Sequence, residues 1–189
     1  ADKYSNPEWV ASDWIGQAEH DELAQCILIT KSYALLNNVN KCLSAQLKNL
    51  PRSKIAKKSL SRNGILIKVN TDKDIISIVN KIAPEHLELN IKNYKKISNK
   101  IINAGSVCLG KYSVMAMTDY NIGSNHILPT NSSSRFSSGV SVNDFYKRIS
   151  YINLSKKGIE TLGPSVITLA NYEGLVGHAE SVKLRIRRK

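Results

Sequence analysis

The strongest constraint on the fold is an alternation between short apolar runs and amphipathic segments of helical period. Strand-sized apolar runs occupy 25–30 and 64–69, and shorter strand signals occur at 87–89 and 105–109. Amphipathic helices are predicted at 7–18, 31–50 and 72–82. Because strands that alternate with helices usually pair in parallel, the sequence predicts an α/β fold with a parallel sheet.

Residues that start and stop helices support these limits. Asn6 can cap the first helix, and Pro7 suits its first position because proline has no N–H to leave unpaired. Val10 and Trp14 lie on the apolar stripe of that helix. Pro51 follows the predicted end of the second helix.

The alternation stops after the fourth strand signal. Residues 110–139 have few periodic apolar positions, and so long a loop in a compact domain is usually functional. Ser141 and Asp144 then have the spacing of a capping box. The remaining chain has a helical pattern, interrupted at Gly163-Pro164 and Gly174. We therefore predict an α/β domain at 1–140 and a small helical unit at 141–189.

The chain is basic, with a formal net charge of +12, and 42% of its residues are hydrophobic. Basic clusters occur at 54–58, 92–100 and 185–189. A nucleic-acid-binding module is one interpretation of this charge, but aromatic residues do not alternate with the clusters, so a solvated basic surface is favoured.

Other signals for partners and location are weak. No apolar run has the roughly 20 residues of a membrane helix, and no export signal is visible, which predicts a cytoplasmic protein without a membrane partner. The chain begins with Ala1, which suggests that it is part of a larger protein. The cysteines, Cys26, Cys42 and Cys108, lack metal-site spacing and are expected to be free thiols.

Each of the four histidines stands beside another potentially reactive side chain. Taken singly, each is better explained by a structural role, since no dense ligand spacing such as HExxH occurs. The potentially reactive side chains near each histidine in the sequence are Gln17 for His20, Glu85 for His86, Asp119 for His126 and Glu173 for His178.

Five blocks of sequence, in order along the chain, carry a resemblance to a known family. They are QAEH at 17–20, APEHL at 83–87, DYNIGSNHILPT at 119–130, RFSSG at 135–139 and EGLVGH at 173–178. Together they resemble the C-terminal part of histidinol dehydrogenases, and the resemblance extends over nearly the whole chain. The blocks contain all four histidines.

The resemblance implies a zinc enzyme that oxidises L-histidinol to L-histidine through L-histidinaldehyde and reduces two NAD. His86 would be the general base for the hydroxyl proton, and Glu85 would activate water in the second step. Substrate contacts would also involve His86 and the zinc ligands, and further substrate contacts would come from His126 and Glu173. The implied zinc ligands are Gln17, His20, Asp119 and His178. Thr118 departs from the family, which usually has glycine there, and we expect it to stiffen the ligand loop.

The resemblance also implies a fold and an assembly. The chain would form the second half of an incomplete Rossmann-like domain, followed by a helical tail that crosses to the partner in a homodimer with shared sites. The NAD contacts would lie upstream, so we expect the isolated segment to be inactive. A zinc hydrolase remains an alternative, because the same ligands could polarise water.

Overall fold

A computed structural model describes residues 1–187, so residues 188 and 189 of the basic C-terminal run lie outside it. The chain divides into two compact units, Ala1–Phe145 and a second unit that begins at Tyr146. Each unit is described by itself below.

The first unit contains four strands and six helices. The strands are β1 (Cys26–Thr30), β2 (Gly64–Lys68), β3 (His86–Leu89) and β4 (Ser106–Leu109). The helices are α1 (Pro7–Ala18), α2 (Tyr33–Gln46), α3 (Ser53–Asn63), α4 (Asp72–Ile82), α5 (Tyr94–Ser98) and α6 (Met115–Tyr120). Short 3-10 turns occur at Ser133–Arg135 and Val142–Phe145.

All strand pairing in the described residues is parallel. β1 pairs with β2 from Cys26 opposite Gly64 onward, and β3 pairs with β4 from His86 opposite Ser106 onward. The α/β class with parallel strands is therefore confirmed. The strands form two separate two-stranded sheets rather than the single sheet that the sequence suggested.

The predicted cap at the start of α1 is confirmed. The Asn6 side chain accepts a hydrogen bond from the Glu8 N–H at 2.8 Å, as a cap for α1. Thr71 and Asp74 form a reciprocal capping box at the start of α4, which begins and ends at the predicted residues.

The predicted helix at 31–50 is wrong. Ser32 caps α2, which ends at Gln46, and α3 then follows Pro51 as an additional helix. Helix α3 lies in a lysine-rich segment and buries only Ala56 and Ser59, so the sequence did not indicate it as a separate helix.

Two further predictions need correction. The segment 110–139 is not loop throughout, since it contains α6. The helix predicted from Ser141 is only the 3-10 turn Val142–Phe145, although the Asp144 carboxylate accepts the Ser141 N–H at 2.6 Å as a capping box would require. No helix or strand follows until Ser155, whose side chain caps the next helix.

The second unit has two helices, α7 (Lys156–Tyr172) and α8 (Val176–Ile186). The Gly163-Pro164 pair does not interrupt α7. Gly163 instead lets the two helices approach closely, because a Cβ there would lie 3.0 Å from Val182 Cγ1. Gly174 has a φ of +76° and makes the turn between the helices, as expected.

Two main apolar clusters form the core of the first unit. One joins α1, β1 and α2 around Val39, and the other joins α4, β3 and α5 around Val79. In residues 1–187 no helix has the length and apolar character to cross a membrane.

Leu28 on β1 provides a test of the first cluster. It is 5% exposed, whereas Leu23 is 77% exposed. We expect Leu28→Ala to lower the free energy of unfolding by about 2–5 kcal/mol, because it leaves a cavity. Leu23→Ala should change it by less than about 0.5 kcal/mol. Urea denaturation measures both, and equal effects would contradict the proposed core.

Candidate active site

The centre of the candidate site is the segment that joins α4 to β3. Helix α4 ends at Ile82, its C-cap Ala83 is a buried residue with a φ of 52°, and Pro84 follows. Glu85 and His86 come next, and His86 is the first residue of β3. The two side chains that could exchange protons therefore stand at a sharp change of chain direction.

Glu85 and His86 lie close together. The Glu85 Oε1 atom is 3.9 Å from His86 Nε2, which is too long for a direct hydrogen bond. The His86 side chain is 16% exposed, and its buried Nδ1 has no hydrogen-bond partner within the described chain. A buried nitrogen without a partner is costly, so this imidazole is suited to bind a polar ligand.

A cavity of about 420 Å³ adjoins this pair. Polar side chains and apolar residues from both sheets line it. The polar residues on which the later argument depends are Asp13, Gln17, Glu85, His86, Glu88 and Ser132.

A second carboxyl group, Glu88, connects elements of this cavity. Its Oε1 accepts the N–H of Met115 at 2.7 Å, so it caps α6, which has no cap from its own segment. Burial and Asp13 raise the pKa of Glu88 to about 7, and burial raises the pKa of Asp13. The two carboxyl groups thus share a buried site, and their mutual repulsion favours protonation of at least one of them.

Gln17 and His20 differ in their local structure. Gln17 lies in the last turn of α1, whereas His20 follows the helix in a turn, so the two side chains do not share a helix face. The helix ends at Ala18, and the His20 N–H bonds to the Gln17 carbonyl at 3.4 Å. The His20 side chain is exposed.

Asp119 is half-buried and lies on α6 rather than in a loop. Thr118 is buried and helical, and its hydroxyl donates to the Met115 carbonyl at 2.6 Å. This position therefore needs no backbone angle that favours glycine.

The remaining predicted residues are exposed within their own units. His126 is exposed in the loop that follows α6, and Glu173 and His178 are exposed in the second unit. Among residues 1–187 no group of three or more His, Cys, Asp or Glu side chains is close enough to hold a metal.

The three cysteines are unpaired thiols, as expected. Burial raises the pKa of Cys26 and of Cys108 to about 11. Both thiols therefore stay protonated near neutral pH and have little nucleophilic character.

Sequence reasoning missed Asp13 and Glu88. Glu88 gave a usable signal, because it is a carboxylate inside the otherwise apolar strand signal at 87–89. Asp13 gave none, since an acidic residue on an amphipathic helix is ordinarily exposed.

The fold and the site together define an α/β protein whose cavity is lined by a neighbouring carboxylate and imidazole. A sequence profile of the family described as histidinol dehydrogenase matches residues 1–186. The chain belongs to the histidinol dehydrogenase family.

Individual relatives agree with the profile. A histidinol dehydrogenase of Pelagibacter ubique is 76% identical over 188 residues, which is 100% of this chain and 44% of the relative. One from Rhodopseudomonas palustris is 46% identical with the same coverage. The crystal structure of histidinol dehydrogenase from Elizabethkingia anophelis superimposes with a TM-score of 0.91 at 40% identity, over 98% of this chain and 43% of that one. The chain thus spans less than half the length of these relatives and corresponds to their C-terminal part.

The raised pKa of Glu88 predicts a pH dependence of stability. The folded protein holds this proton up to about pH 7, whereas the unfolded chain releases it near 4.5. The contribution to stability is therefore complete below pH 4.5 and is lost as the pH rises through 7.

We expect Glu88→Gln to weaken this dependence, because the amide cannot ionise. The difference in the free energy of unfolding between pH 5 and pH 8 should be smaller in the variant than in the wild type. Denaturant titrations at both pH values measure it. An unchanged difference would show that Glu88 ionises normally.

Proposed function

We propose that the chain is the C-terminal portion of a zinc-dependent histidinol dehydrogenase. The reaction would convert L-histidinol to L-histidine through L-histidinaldehyde, with two NAD as hydride acceptors and one water consumed. The observation that carries this proposal is the Glu85–His86 pair at the cavity of a chain that belongs to this family.

His86 would act in the first oxidation. Removal of a hydride from the alcohol carbon requires loss of the hydroxyl proton, and an imidazole is suited to accept it near neutral pH. The unpartnered Nδ1 and the low exposure of this ring support the role, because a ligand atom would satisfy the buried nitrogen.

Glu85 would act in the second oxidation. Conversion of an aldehyde to an acid requires the addition of water, and a carboxylate beside the aldehyde carbon can take a proton from that water. Glu85 lies next to His86 and lines the same cavity, so both bases can serve one reacting carbon.

The donor atoms proposed for zinc fit that metal chemically. Gln17, His20 and Asp119 supply amide, imidazole and carboxylate donors, and their side chains form no hydrogen bond with residues 1–187. They are therefore available as ligands. His178 would complete the set, and zinc would supply an orienting charge for the imidazole and amine of histidinol. His126 and Glu173 would bind other polar groups of the substrate.

The rest of the expected enzyme is also part of this proposal. Residues 1–140 would form half of a Rossmann-like domain, and residues 141–189 would reach the partner subunit of a homodimer, where Glu173 and His178 complete the site. The NAD contacts would come from the N-terminal part of the enzyme, and the protein would work in the cytoplasm.

A chimaera tests the proposal in a complete enzyme. The C-terminal 44% of the Pelagibacter ubique relative is replaced by this chain, which is 76% identical to it. We expect the chimaera to hold zinc and to form two NADH for each histidinol consumed. A folded chimaera that reduces no NAD would refute the proposed function.

Glu85→Gln in the chimaera separates the two steps. Formation of histidine should fall by at least about a hundredfold, because an amide cannot take the proton from water. Reduction of histidinaldehyde to histidinol with NADH should remain within about tenfold of wild type, since His86 is intact. The surface variant Glu22→Gln is the matched control and should behave as wild type. An equal loss of histidine formation and of histidinaldehyde reduction would contradict the assignment of Glu85.

A further inference from the structure

The C-terminal end of α4 has backbone carbonyls that its own helix and the residues immediately after it cannot pair. A helix leaves its last four carbonyls without an internal partner. A left-handed residue such as Ala83 normally ends a helix with the help of its own N–H, which here bonds to the Val79 carbonyl, and of the N–H of the residue after it. Pro84 has no N–H, so one of these donors is missing. The carbonyls therefore need donors from elsewhere.

The turn at 130–135 supplies those donors. Ser132 Oγ donates to the Ile82 carbonyl at 2.6 Å, and Ser134 Oγ donates to the Ala83 carbonyl at 3.0 Å. The Arg135 guanidinium donates to the Lys81 carbonyl. Three consecutive carbonyls are thus bonded by three side chains of one short turn.

Backbone strain is concentrated at this contact. Within residues 1–187 the non-glycine residues with positive φ are Ala83, Asn131 and Ser132. Such angles persist only where the surroundings hold them, and they occur preferentially at functional sites. All three lie at the contact between the turn and the end of α4.

The other neighbour of this segment is the start of β4. The Gly105 N–H donates to the Pro84 carbonyl at 2.9 Å, and the Ser106 N–H donates to the Glu85 carbonyl at 2.8 Å. A Cβ on Gly105 would lie 2.6 Å from the Glu85 carbonyl oxygen, so there is no space for the segment to shift toward β4. The turn therefore opposes movement of a segment that β4 already confines.

We propose that Ser132, Ser134 and Arg135 are positioning residues for Glu85 and His86. They fix the backbone immediately before the two bases and thereby hold both side chains at the cavity. The inference rests on the proposed function. It goes beyond it by assigning a task to a turn whose side chains act through the backbone rather than on the substrate.

The size of the effect follows from the geometry of proton transfer. A base must stand within hydrogen-bond distance of the proton that it takes, and a displacement of about 1 Å can cost a factor of up to about a hundred in rate. Loss of the Ser134 hydroxyl leaves the carbonyl of buried Ala83 without its donor. The segment then relaxes toward other partners, and the two bases move with it.

The test uses the chimaera with Ser134→Ala, Ser132→Ala and Ser134→Thr. We expect kcat to fall about tenfold for both oxidation steps in the alanine variants. The KM for histidinol and the zinc content should stay within about twofold of wild type, since the proposed zinc ligands are untouched. Ser134→Thr keeps a hydroxyl donor and should restore at least half of kcat.

Asp74→Ala is the matched control. It removes the capping box at the other end of α4 and weakens the same helix without touching the carbonyls at 81–83. Its thermal midpoint should fall while its kcat remains within twofold of wild type. If Asp74→Ala loses as much kcat as Ser134→Ala, the turn only stabilises the fold in general, and the inference is overturned.

The other outcomes are equally decisive. A folded Ser134→Ala variant with wild-type kcat, or a Ser134→Thr variant without recovery, overturns the positioning role. If circular dichroism shows that Ser134→Ala does not fold, the kcat, KM and zinc content of Ser132→Ala test the positioning role instead. A wild-type chimaera without activity refutes the proposed function itself, whereas an active wild type with unaffected variants refutes only the inference.

Discussion

The ends of helices leave backbone N–H and carbonyl groups without partners, and these groups must find partners elsewhere in the chain. The structure around the cavity depends on how they are paired. At the end of α4, Pro84 removes a donor, and side chains of the turn at 130–135 provide the replacements. At the start of α6, Glu88 on β3 accepts the Met115 N–H that no local cap satisfies. Each bond joins segments distant in sequence. The elements with the proposed site residues are therefore fixed by polar contacts as well as by apolar packing.

The sequence predicted those parts of the fold that local physics decides. The start of α1 follows from Asn6 and Pro7, both ends of α4 follow from its apolar period, and the strands were found from their apolar runs. The errors occurred where tertiary contacts override local preference. Helix α3 is lysine-rich and buries only Ala56 and Ser59, and Gly163 lies inside α7, where α8 packs against it.

The candidate site divides in the same way. The adjacency of Glu85 and His86 is visible in the sequence, and the structure places both at one cavity. The wider set came from five ordered motifs rather than from spacing, and those residues remain proposals. Asp13, Glu88 and Ser134 were missed because their roles depend on partners far along the chain, such as Ala83 for Ser134. A hydroxyl that bonds a distant carbonyl leaves no periodic signal in a sequence.

The central claim is that the side chains of Gln17, His20 and Asp119 bind the same zinc ion as His178 of the helical tail. Anomalous diffraction at the zinc edge from crystals of the complete chimaeric dimer tests it most directly. The account predicts one zinc peak per site, about 2.0–2.2 Å from donor atoms of Gln17, His20 and Asp119, with His178 of the second subunit as the fourth ligand. A zinc peak elsewhere, or these side chains held apart around no metal, would contradict it.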